Sequence, residues 1–75
     1  MTRYDLLNTN RDLIFQLVKA SVLSYHIIRD MEIFEKFKAM DSVEFAEARH
    51  LVLADEFELS KRRVEDIIYN MKQKV

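Results

Sequence analysis

Glycine, proline, cysteine and tryptophan are all missing from this 75-residue chain. Without glycine, and with no Asn-Gly pair, the tight two-residue hairpin loses the residues that occupy positive φ. Runs of strict apolar/polar alternation are missing too, so half-buried strands have no sequence basis. The expected fold class is all-α. The lack of cysteine excludes a disulfide staple, a thiolate zinc site and a cysteine nucleophile, and fits a reducing compartment. The start of the chain carries no apolar signal-like stretch, and no apolar run approaches the ~20 residues that span a bilayer. A cytoplasmic protein without a membrane partner is expected.

Hydrophobic residues make up 49% of the chain and charged residues 33%, with three Tyr and five Phe. That is ample for a core and unlike a disordered segment. The length suits one domain, residues 1–75, and is too short for two. A chain of this size buries only about 60–65% of the surface it exposes when unfolded, so a second copy would add stability.

The net charge of −1 gives no general affinity for nucleic acid. Its distribution is uneven. Residues 41–59 hold Arg49 against six acids, whereas residues 60–75 hold Lys61, Arg62, Arg63, Lys72 and Lys74 against Glu65 and Asp66. A DNA-facing surface belongs at the C-terminal end.

Cap and turn residues divide the chain. Thr2 is placed to cap a first turn through Tyr4, Leu6 and Leu7, and Asn8-Thr9-Asn10 marks a restart. Leu13, Ile14, Leu17, Val18 and Ser21 form a stripe of helical period, and Ile27, Ile28, Met31, Phe34, Phe37 and Met40 form another. Ser21 to Ser24 is a weak break, so residues 10–40 read as one bent helix or as two, with Ser24 as the second cap. The second stripe reads as core or as a dimer seam. Asp41 and Glu44 have the spacing of a capping box, which predicts a long helix over about 43–56. That helix is apolar almost all round and is expected at the centre of the fold. Ser60 caps a last helix over 61–73, whose buried stripe is Val64, Ile67, Ile68 and Met71. The sum is a compact bundle of three to five helices. Residues 1–40 are its scaffold, and residues 43–73 are two helices joined by a short turn.

That junction carries the functional signal. Two helices that cross at a tight corner need a small residue on the first, apolar plugs around the turn, a cap, and anchors three to four apart on the second. Leu53 and Ala54, Phe57 and Leu59, Ser60, and Val64, Ile67 and Ile68 supply these in register. The stretch from Leu53 to Ile68 resembles the Leu-Ala-x-x-Phe-Gly-Val-Ser-x-x-Thr-Val-x-x-Ile pattern of the helix-turn-helix family of bacterial and phage transcription regulators. The resemblance covers roughly 20 of the 75 residues. It departs from the pattern at Glu58, where the family most often has glycine, a position that commonly needs positive φ at a cost of about 1 kcal/mol for another residue, so that either the turn is longer and relaxed or the strain is tolerated.

The resemblance implies that the last helix is the recognition helix and that double-stranded DNA is the partner, bound by a homodimer. Arg62 is the candidate base reader, since its fork suits guanine. Lys61, Arg63 and Ser60 are candidate phosphate contacts near the helix N-terminus, and Tyr69 and Asn70 reach the backbone. Glu65 and Asp66 oppose phosphate unless one accepts from cytosine. Arg62 and Asp66, four apart, can also form a plain surface pair worth about 0.5 kcal/mol at most. The alternative is a non-catalytic interaction or structural module that uses the corner for packing alone.

No glycine-rich phosphate loop, nucleophile elbow or metal cluster is present in the sequence, so no catalytic residue, cofactor or small-molecule substrate is expected. His26 and His50 lack partners at ligand spacing and read as core-edge or rim residues.

Overall fold

The cap at Thr2 forms as its sequence requires. Its hydroxyl accepts from the Asp5 amide at 3.1 Å and its own amide donates to the Asp5 carboxylate at 2.9 Å, a complete capping box. From there the structure, a computed structural model that describes residues 1–75, runs through five helices: α1 Arg3–Thr9, α2 Arg11–Lys19, α3 His26–Ala39, α4 Ala46–Phe57 and α5 Lys61–Lys72. The fold is all-α. One antiparallel bridge, Thr2 to Lys74, ties the two ends of the chain together, with the Arg3 amide donating to the Gln73 carbonyl at 2.7 Å.

Residues 10–40 are two helices, and backbone bonding shows why they part. The Val22 amide donates to the Leu17 carbonyl at 2.8 Å and the Ser21 amide to Val18 at 3.0 Å, with Ser21 at φ 62°. This is a Schellman termination, which turns the chain through one left-handed residue while satisfying the last carbonyls. Ser24 then accepts from the His26 amide at 3.2 Å, but the N-cap of α3 is Tyr25, so Ser24 lies one residue ahead of the cap position expected for it.

The expected capping box at Asp41 and Glu44 does not form, and α4 starts at Ala46 rather than near 43. Arg49 explains the difference. Its guanidinium donates to the Phe37 carbonyl at the end of α3, at 3.1 Å, and to the Val43 carbonyl at 2.6 Å. The intervening segment is thereby held in a non-helical path that a local capping signal cannot anticipate.

Nor is α4 the central helix. It buries only Leu53 and Ala54, while Phe45, Leu51 and Val52 stand in solvent. The centre belongs to α5, which packs against α1, α3 and α4. Its Val64, Ile67, Ile68 and Met71 join Met31, Ile33, Phe34 and Phe37 of α3 and the α4 pair in one buried cluster. Ile33 is fully buried although it lies off the stripe read along 27–40. Four side chains with almost no exposure, Met31, Ile33, Leu53 and Val64, form its middle, each contributing about 1.5–3 kcal/mol through removal from water.

The shorter helices are attached more lightly. α2 packs chiefly on α1. A polar tie adds to this: the Glu35 carboxylate of α3 accepts from both the Tyr4 hydroxyl and the Arg11 guanidinium. Burial and the Glu35 charge together push the Tyr4 hydroxyl above its usual pKa.

Two non-glycine residues occupy the left-handed region, Ser21 and Glu58. Replacing either with glycine removes a clash between Cβ and backbone. Ser21→Gly and Glu58→Gly are each expected to stabilise the fold by up to about 1 kcal/mol after the entropy of the unfolded glycine is subtracted, raising the melting temperature by about 4–8 °C. Thermal melts followed by circular dichroism check this, and Val at either position is expected to move the melt the other way.

Candidate nucleic-acid interface

The corner between α4 and α5 is built from the backbone outward. Glu58 sits at φ 55° and ψ 43°. The Leu59 amide donates to the Ala54 carbonyl at 2.9 Å and the Glu58 amide to Asp55 at 3.3 Å, a second Schellman termination. Of the two turns the sequence left open, the longer relaxed one does not form: the strain is tolerated and carried by a glutamate. Leu59 packs with Phe57 against the buried cluster that contains Leu53 and Ala54, the apolar contact that accompanies this motif. Ser60 follows in extended conformation, and its hydroxyl accepts from the Arg63 amide at 3.0 Å. A small residue, two plugs and a cap thus join two twelve-residue helices through a three-residue turn, Glu58–Ser60.

Burial of Val64, Ile67, Ile68 and Met71 determines where the other side chains of α5 point, because residues are offset by 100° along a helix. Arg62, Asp66 and Tyr69 lie outermost, with Arg62 at 84% side-chain exposure. Lys61 and Glu65 lie on the flank toward α4. Arg63 and Asn70 lie on the opposite flank, both exposed. Seven of the eight side chains expected at the interface are therefore spread over three sides of one helix, and the eighth, Ser60, caps it.

Their charges are largely spoken for. Lys61 donates to Glu47 of α4 at 2.6 Å and lies 3.4 Å from Glu65. The bond to Glu47 pushes the Lys61 ammonium above its usual pKa, and the same contact holds the Glu47 carboxyl below the usual carboxylate value. Arg62 lies 3.6 Å from Asp66, one turn on. Arg63 has no acidic partner within ion-pair distance and is the free cation of the tip.

The remaining basic residues of the C-terminal stretch sit elsewhere. Lys72 is ten residues beyond Arg62, about 15 Å along the helix. Its ammonium stands over the Phe37 ring at 5.3 Å, a ring that also receives Arg49 at 5.4 Å. Lys38 covers Tyr4 and Phe34 in the same manner. These cations close the rim of the aromatic core, each worth about 0.5–1 kcal/mol at exposed sites. Sequence position alone grouped Lys72 and Lys74 with the tip, and only the helix length separates them.

His50 of α4 stacks on Phe37, ring centres 5.3 Å apart and 14° from parallel. Nothing at the corner gathers metal ligands: no group of three or more His, Cys, Asp or Glu side chains converges anywhere in the chain. The largest open groove, between α3 and α4, is lined by Lys36, Ala39, Met40, Val52, Asp55 and Glu56, with Lys36 and Glu56 bonded across it at 2.8 Å.

Burial lowers the His50 pKa from its usual 6.5, reinforced by the nearby Lys61 and Lys72 charges and opposed by Glu65 and Glu47. The folded chain thus favours neutral imidazole. Its contribution is complete above 6.5 and drains away as pH falls through that value toward the lowered folded-state pKa. Melting temperature is expected to fall between about pH 7.5 and 5.5, and the fall is expected to shrink in His50→Gln. Glu47 and Asp5, whose folded pKa values are lowered from 4.5 and 3.8, act in a separate, more acidic window. In comparisons with known proteins, the chain matches no family model, no curated protein and no solved structure.

Proposed function

We propose that this chain is a small double-stranded DNA-binding module, a transcription regulator that reads sequence with the N-terminal half of α5. The observation that carries the reading is the capped corner itself. The Schellman turn at Glu58 and the Ser60 cap bring α5 out of the corner with Arg62 and Arg63 exposed at its positive end. A helix N-terminus offers backbone amides and a favourable dipole to a phosphate. The outermost arginine then lies deepest in the major groove, where its fork matches guanine O6 and N7.

Each residue has a role in this reading. Arg62 reads a base, while Ser60, Arg63 and, less strongly, Lys61 hold phosphates. Tyr69 and Asn70 touch the sugar-phosphate backbone further along. Asp66 holds Arg62 in place in the free protein, and with Glu65 it disfavours unspecific contact. The cost of exchanging the Asp66 pair for a base is small, because an exposed pair four residues apart is weak.

A second reading draws on one observation: Lys61 and Arg62 already have carboxylate partners on the protein. In that reading the corner serves packing alone, and the chain is a non-catalytic interaction module.

Binding of the purified chain to mixed duplex DNA separates the two. A DNA-binding module loses affinity as salt rises, and Arg63→Ala lowers the slope of log affinity against log salt by about one. Lys61→Ala lowers it less, because Glu47 already neutralises that charge. Arg62→Ala is expected to relax preference at one base pair, by about 1–3 kcal/mol, without uniform loss elsewhere. Affinity that is absent or indifferent to salt defeats the proposal and leaves the packing module.

A further inference from the structure

Helix α4 turns part of its apolar surface away from the core. With Leu53, Ala54 and Phe57 directed inward, the fixed offset between helical residues places Ala48, Leu51, Val52 and Asp55 on the opposite side. Leu51 is 54% exposed and Val52 48%, and Phe45, just ahead of the helix, is 72% exposed. The row Phe45, Ala48, Val52, Asp55 advances by three and four residues, the spacing of neighbours on one helix face. Val52 and Asp55 also line the groove between α3 and α4, together with Ala39 and Met40 at the end of α3. An exposed apolar strip that opens into a groove between two helices has the shape that takes a third. Apolar surface gathered in this way and rimmed by polar groups marks a contact site.

The charges around the strip decide its partner. Asp55 lies within the row itself. Glu47 lies about 40° around the helix from Leu51 on one side, and Glu56 about 40° from Val52 on the other. Glu44 directly precedes the row and Glu58 follows it. Glu47 and Glu56 hold Lys61 and Lys36. Glu44, Asp55 and Glu58 are exposed and have no cation within ion-pair distance. The strip therefore lies in uncompensated negative charge. A second copy docked about a two-fold axis brings the same patch against itself, carboxylate toward carboxylate, which is costly. Nucleic acid and anionic lipid headgroups are repelled for the same reason. A partner with apolar residues along one side and lysine or arginine beside them gains on both counts.

We propose that the outer face of α4, with the α3–α4 groove beside it, is a docking surface for a basic amphipathic helix of another protein. Leu51 and Val52 meet the apolar side of that helix, and Glu44, Asp55 and Glu58 attract its cations. The inference stands apart from DNA binding, since none of its residues lies on α5.

The probe is a synthetic peptide of about 18 residues, with leucine at spacings of three and four and lysine elsewhere. It is titrated into the isotope-labelled chain and followed by amide NMR shifts. Saturable shifts are expected at Ala39, Met40, Leu51, Val52 and Asp55, with Arg62 and Arg63 unmoved. Two control peptides, one with glutamate for lysine and one of scrambled order, are expected to bind at least about tenfold more weakly. Val52→Lys is expected to raise the dissociation constant of the lysine peptide at least about tenfold, with an unchanged melt because the site is exposed. Asp55→Asn is expected to raise it about two- to fivefold and to flatten its dependence on salt. Absence of saturation up to about 1 mM, equal affinity for either control, shifts centred elsewhere, or indifference to Val52→Lys overturns the proposal. So does sedimentation that shows the chain pairing with itself in a dimer that Leu51→Ser dissolves, which would assign the face to a second copy.

Discussion

The burial of one face of α5 is the constraint on which the rest of the molecule depends. Val64 has no measurable exposure and Ile67 and Ile68 almost none, and they meet Ile33 and Phe34 from one side and Leu53 from another. Three helices lean on this one helix, and the strand-like pairing of the chain ends lies just beyond it. Because a helix is rigid and its side chains are offset by a fixed angle, fixing four residues inward fixes Arg62, Asp66 and Tyr69 outward. The composition of α5 is otherwise strongly polar, so no other face has enough apolar surface to compete for the core. The outer surface of the tip is thus a consequence of packing on the far side of the same helix.

A chain without glycine still has to end its helices, and the solution adopted twice is the same. At Ser21 and at Glu58 a residue with a Cβ takes the left-handed conformation that Schellman termination requires. Each such residue costs roughly 1–2 kcal/mol in steric terms. The cost is offset by what the turn accomplishes: two carbonyls are satisfied at each site, and the backbone of the next residue, Val22 or Leu59, is bonded back to the helix it has just left. At Glu58 that residue, Leu59, reaches the core, so the corner is fixed from inside. At Ser21 the corresponding Val22 stays exposed, and the helix it ends is the one with the least cover.

The sequence was most legible where the deciding interactions are local. The caps at Thr2 and Ser60 and the buried stripe of α5 involve residues within one or two turns of each other, and each lies where it was read; the turn at Glu58 was left between two forms, and its backbone takes the strained one. The boundary at Asp41 was misread because the deciding partner is Arg49, whose guanidinium reaches the end of α3 across a gap no cap rule describes. The rank of α4 was misread for a related reason. An apolar composition states how much a helix can bury, and only the neighbours decide how much it does, so Leu51, Val52 and Phe45 remain outside. At the tip, residue types and order were legible, but the state of the charges was not. Lys61 is neutralised by Glu47, fourteen residues earlier and on another helix.

For the proposed reader, the pairing of Lys61 with Glu47 bears on how the tip would discriminate. A cation that already holds a carboxylate gains little by moving to a phosphate, because one charge-assisted contact is exchanged for another. Unspecific attraction is correspondingly weak, in keeping with a chain of net charge −1. What remains is the difference between a correct base edge and a wrong one, which an arginine fork registers by whether both of its bonds are made. For the proposed reader, affinity must then come from joining more than one tip to the same duplex, since linked sites multiply affinity without strengthening either contact.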